Sequence, residues 1–99
     1  MSQNAQIISA IQGKRTLSFI YEGHPRVVEP YTYGVDRKGH LALRAYQTGG
    51  TSQSGRIPDW RLFHESDMRQ IAVLGTSFAP RLSEYRRGDK AFSTIHREI

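Results

Sequence analysis

The sequence predicts a mainly β fold, a small five-stranded barrel preceded by one helix, on three observations. Apolar residues recur at intervals of two through the middle of the chain, turn residues separate these runs at short spacing, and one three- to four-residue repeat precedes them. A chain of 99 residues has room for one core, so residues 1–99 are expected to form one domain. Ser2 or Asn4 caps the helix, Ile7, Ile8 and Ile11 share its face, and Gly13 is placed to end it. From Thr16 the period becomes two. Leu17, Phe19 and Tyr21 alternate with Ser18 and Glu22, and Glu22-Gly23-His24-Pro25 turns the chain into Arg26-Val27-Val28 as a hairpin. Pro30 lacks a backbone donor, so Tyr31 to Val35 reads as a bent or edge continuation.

Asp36-Arg37-Lys38-Gly39 is the next turn, followed by a strand in which Leu41, Leu43 and Ala45 alternate with Arg44 and Tyr46. Gln47 to Arg56 contains no apolar residue and reads as a flexible loop. Trp60 and Leu62 then alternate with Arg61 and Phe63, and Arg69 to Leu74 forms a fifth strand. The barrel thus spans about residues 15–75, and residues 78–99, with Pro80, Leu82, Tyr85 and Phe92, read as a C-terminal helix or arm.

Fourteen Lys and Arg against nine Asp and Glu give a net charge of +5. Only Lys14, Lys38 and Lys90 are lysines, so the excess is arginine, whose planar donors match phosphate and carboxylate bidentately. An anionic partner follows from that chemistry. The absence of cysteine excludes disulfides, thiolate catalysis and sulfur-ligated zinc. No secretory leader or membrane-length apolar run is visible, which makes the cytoplasm the expected compartment and a membrane partner unexpected.

Gly50-Thr51-Ser52-Gln53-Ser54-Gly55-Arg56-Ile57 has the glycine spacing of a phosphate-binding loop, but arginine and isoleucine occupy the lysine and hydroxyl positions and a strand pattern follows. His24, His40, His64 and His96 lack metal-ligand spacing, so no metal and no cofactor is expected. No nucleophile elbow is present, and acids such as Glu29 and Asp59 read as salt-bridged surface. The stronger constellation is aromatic plus arginine on strands: Tyr21, Arg26, Tyr31, Tyr33, Arg44, Arg56 and Arg61. Aromatic faces stack bases and guanidinium groups bind phosphate. The same residues also fit plain β-propensity and solubilising charge.

The order of residues resembles the WYL domain of bacterial regulators over about residues 5–80. The resemblance rests on Ala10-Ile11, Leu17-x-Phe19-x-Tyr21, Arg26-Val27-Val28-Glu29-Pro30-Tyr31, Gly39 leading into Leu41-Ala42-Leu43-Arg44-Ala45, Arg61-Leu62-Phe63, and Phe78 after Ile71-Ala72-Val73-Leu74. The name-giving Trp-Tyr-Leu falls on Leu41-Ala42-Leu43, which keeps only the leucine, and Glu65-Ser66-Asp67-Met68 replaces a run that carries an arginine. The resemblance implies an SH3/Sm-like barrel that senses a ligand without catalysis. In such domains a basic cleft binds nucleotide or single-stranded nucleic acid in the control of transcription or phage defence. It carries Tyr21, Arg26 and Arg61 into the ligand patch, and charge and strand alternation add Arg44 and Arg56. The alternative expectation is a module for protein–protein interaction or homo-oligomerisation through an exposed barrel edge.

Overall fold

The computed structural model describes residues 3–52 and 55–99; Ser2, the alternative cap, and Gln53-Ser54 of the predicted loop lie outside the described residues. Asn4, one of the two expected caps, caps the helix. Its Oδ1 accepts from the Gln6 and Ile7 amides at 2.9 and 3.0 Å, which satisfies two of the donors a helix start leaves open. Helix α1 (Ala5–Gly13) runs through Gly13, and Lys14 takes the left-handed turn beyond it (φ 52). Ile7, Ala10 and Ile11 are buried.

The chain is mainly β after this helix, in the order β1 (Arg15–Tyr21), β2 (His24–Asp36), β3 (Leu41–Gly50), β4 (Asp59–His64), a 3-10 turn (Glu65–Asp67), β5 (Met68–Ser77) and β6 (Phe92–Glu98). The strands form one antiparallel sheet in the order β4-β3-β2-β1-β5, with β6 also on β2. Among the described residues, six strands therefore replace the five expected. The sixth comes from the segment expected to be a helix or arm. β1 covers the first half of β2 as far as Leu17↔Val28, leaving the edge from Thr32 to Asp36 to be paired by β6.

Two further expectations are corrected by the same strand. β2 is central rather than an edge, because Pro30 sits where the ladder is already interrupted. Pro30 faces Ala45 and Thr32 faces Arg44, so Tyr31 is an extra residue without a partner on β3, and a bulge tolerates a residue with no amide donor. The expected loop at Gln47 to Arg56 is strand as far as Gly50. Gln47, Gly49 and Gly50 pair with Val28, Val27 and Arg26, and at Gly50 (φ +82) a Cβ would lie 2.1 Å from the Pro25 carbonyl oxygen, so only glycine fits.

The bulge splits the tyrosines of β2 between two layers. Tyr33 joins Leu17, Phe19, Val28, Leu43 and Phe63 in the core beneath α1. Tyr31 packs on the other side against Trp60, Phe78 and Tyr85, at centroid distances of 4.7, 5.5 and 4.9 Å. Residues 78–91 thus cover the second face of the sheet, tied down by the Thr32–Tyr85 hydroxyl pair at 2.5 Å and by the Tyr31 hydroxyl accepting from the Arg81 amide at 2.9 Å. No helix among the described residues is long and apolar enough to cross a membrane.

Candidate anion-binding cleft

Side chains alternate along a strand, so the pairing decides which arginines share a face. Arg26 stands opposite Phe19 and Gly50, Gln47 opposite Val28 and Asp59, and Arg61 opposite Ala45. Phe19, Val28 and Ala45 belong to the core beneath α1, which puts Arg26, Gln47, Asp59 and Arg61 on that same face. Where α1 stops covering it, a cleft of about 370 Å³ opens, lined by Tyr21, Glu22, Arg26, Arg56, Asp59, Arg61 and Phe63 among others. Four of the five site residues expected from sequence are therefore together: Tyr21, Arg26, Arg56 and Arg61.

They occupy different depths. Arg26 is 3% exposed and forms the floor. Its Nη1 donates to Gln47 Oε1 at 3.2 Å, and its Nη2 donates to the Tyr21 carbonyl at 3.2 Å and faces Glu22 Oε1 at 3.4 Å. The guanidinium carbon lies 5.5 Å from the Tyr21 ring centre and 5.7 Å from that of Phe63, within the range of a cation–π contact. Nε is buried without a hydrogen-bond partner. Burial lowers the Arg26 pKa, the Arg61 charge lowers it further, and Glu22 and Tyr21 act in the opposite sense. A buried cation with a second cation beside it is the electrostatic arrangement that an incoming anion relieves.

Arg61 and Arg56 stand above this floor. Arg61 Nη2 donates to Ser52 Oγ at 3.1 Å and to the Arg56 carbonyl, so β4 holds both ends of the 51–58 segment. Arg56 is exposed. Tyr21 is packed edge-on against Phe63 at 5.0 Å, and its hydroxyl accepts from the His64 amide at 3.1 Å. It buttresses Arg26 from one side. Gln47, fully buried, also donates to the Gly49 and Thr51 carbonyls at 2.9 and 3.1 Å, and so aims Arg26 while pinning the start of the loop. Sequence reading missed Gln47 because it assigned that residue to a loop; a polar side chain two positions beyond Ala45 in the same alternation was the available signal.

Arg44 is not in this cleft. It faces Thr32 and Leu62 on the opposite side of the sheet, where Nε donates to Asp89 Oδ2 at 2.7 Å. That side has its own cavity of about 420 Å³, lined by Arg44, Trp60, Tyr85, Arg86, Arg87 and Lys90 among others. Here Trp60 and Tyr85 lie stacked, 6.2 Å apart and 22° from parallel. Burial acts to raise the Asp89 pKa, but the Arg44 hydrogen bond and the Ala91 amide outweigh it and hold the carboxyl below its ordinary value. Comparison with known protein families, with curated proteins and with solved structures finds no match to this chain.

Proposed function

We propose that this chain is a WYL-like ligand-sensing domain, not an enzyme, that binds a nucleotide or single-stranded nucleic acid through the Tyr21–Arg26–Arg56–Arg61 cleft. One observation carries the reading: guanidinium groups from β2, β4 and the preceding loop meet in a single concavity. Guanidinium donors suit phosphate oxygens, and three of them at one concavity complement the charge of a phosphodiester. In this reading Arg56 and Arg61 touch the phosphate, Arg26 supplies charge from below, and Tyr21 holds Arg26 in place. Such a domain would act as a cytoplasmic regulator of transcription or phage defence and would need no cofactor.

The test is the salt dependence of binding to a fluorescent single-stranded oligonucleotide, followed by anisotropy. Each phosphate contact contributes about −0.7 to the slope of log K against log salt for a single strand. Arg56→Ala and Arg61→Ala should each flatten the slope by about that amount, whereas the exposed Arg97 on β6, replaced by alanine, should leave it unchanged. Slopes that ignore Arg56 and Arg61 would overturn the assignment.

A second reading, self-association or protein binding, is favoured by one observation. β5 ends the sheet order, and Arg69, Gln70, Ala72 and residues 75–77 along it are exposed. Light scattering that gives a stable oligomer whose mass ignores added oligonucleotide would support it.

A further inference from the structure

We propose that Asp36, His40 and His64 form a binding site for a borderline divalent transition metal of the zinc and cobalt type, separate from the arginine cleft. Sequence spacing gave no such expectation, because His64 is far along the chain from the other two. The sheet brings it back. β3 pairs with β4 so that Ala42 faces His64, and His40 precedes Ala42 by two residues on the same side. The tight turn through residues 37–39 sets His40 beside Asp36, with the Asp36 amide donating to the His40 carbonyl at 2.8 Å and Gly39 in the left-handed region (φ +88).

The carboxylate is oriented before any ion arrives. Asp36 Oδ1 accepts from the Lys38 and His40 amides, each at 2.9 Å, which turns Oδ2 towards the imidazoles. Oδ2 lies 3.3 Å from His64 Nε2 and 3.7 Å from His40 Nδ1, and the three donor atoms all lie within 4.8 Å of one another. Bonds of about 2.0–2.1 Å in a tetrahedral zinc site put neighbouring donors about 3.3 Å apart. The carboxylate distances are near that value, and the histidines can close the remainder by small rotations, since their side chains are 57% and 40% exposed against 9% for Asp36. Two neutral imidazoles and one carboxylate suit zinc, cobalt or nickel rather than calcium or magnesium, which take oxygen ligands. Amide hydrogen bonds to the ligating carboxylate are the outer support such sites use. Three protein ligands leave a fourth position for water or a donor from outside.

The experiment is titration of the untagged, metal-free full chain with cobalt(II), read by visible absorption, and with zinc(II), read by calorimetry. The expected result is saturation at one equivalent for both, with no response to magnesium or calcium. His40→Ala and His64→Ala should each weaken zinc binding by about tenfold or more, while His24→Ala and His96→Ala leave it unchanged. Circular dichroism of each variant separates lost ligation from lost fold, and His40→Ala, on an exposed turn, is the variant least exposed to that ambiguity. Absence of a saturable response in the parent chain, or zinc binding that survives in His40→Ala and His64→Ala, would overturn the assignment.

Discussion

Replacing Gln47 by leucine removes the side chain that connects the cleft floor to its loop while nearly conserving volume. Three hydrogen bonds go with it: one from the Arg26 guanidinium and two to the Gly49 and Thr51 carbonyls. A bond to a charged partner is worth about 1.5–3 kcal/mol and a neutral one about 1 kcal/mol, so the loss is about 3.5–5 kcal/mol. Burying leucine in place of an amide returns about 1–2 kcal/mol. The net destabilisation should be about 1.5–4 kcal/mol, equivalent to a fall in Tm of about 6–32 °C for a chain of this size. Thermal melting by circular dichroism, with urea unfolding as a second measure, reads this directly. Arg26→Met orphans the same Oε1 from the other side. The double variant should therefore be less destabilised than the two singles added, by about 1–3 kcal/mol. A Gln47→Leu chain within about 0.5 kcal/mol of the parent, or strict additivity of the pair, would refute the reasoning, since surface residues without such partners behave that way.

Other outcomes follow from geometry elsewhere. Gly34→Ala would place a Cβ 2.0 Å from the Thr94 carbonyl oxygen and 2.9 Å from Ile95 Cα, so it should loosen β6, lower stability by about 1–3 kcal/mol and accelerate amide exchange in that strand. Gly75→Ala, with no heavy atom within 4 Å, should stay within about 0.5 kcal/mol of the parent. Burial raises the Tyr31 and Tyr33 pKa values to about 12. Their contribution is complete below the ordinary tyrosine pKa of about 10 and is lost as pH rises towards 12, and burial raises Tyr85 as well, so ultraviolet phenolate titration should show three late tyrosines and an alkaline loss of stability that Tyr33→Phe narrows. The Asp89 carboxyl is held low, so its contribution is present above about pH 4 and lost as pH falls through the folded-state value. Asp89→Asn should flatten the acid limb of the stability curve measured in urea.

The helix, the first hairpin and the strand through Leu43 and Ala45 were legible because each has one dry face, and a period of two or of three to four announces it. The turn at Glu22-Gly23 was legible for another reason: both residues sit at positive φ, the conformation a two-residue hairpin loop demands. Pro30 misled because its usual avoidance of central strands does not apply at a bulge, and a bulge is a property of two strands in register rather than of one. Gln47 misled because composition ranks glutamine as exposed, whereas here its partners are an arginine and two carbonyls that only the folded sheet supplies. β6 was illegible for a related reason. Phe92 is its one buried residue, so its pattern carries little periodicity, and the edge it completes exists only because β1 is short. The arginine cleft was half legible: alternation put Arg26 and Arg61 on strands, but the choice of face for Arg44 depended on pairing.

The unpaired tyrosine of β2 takes no rung of the ladder and serves only the second layer. Delete it, and Thr32 still meets Arg44 and Tyr33 still meets Leu43, so the frame survives while the ring on which Trp60, Phe78 and Tyr85 close is gone. A deletion at this one position should therefore cost the docking of residues 78–91 and not the strand pairing, whereas a deletion between Thr32 and Asp36 would shift β2 against β3 and β6 together.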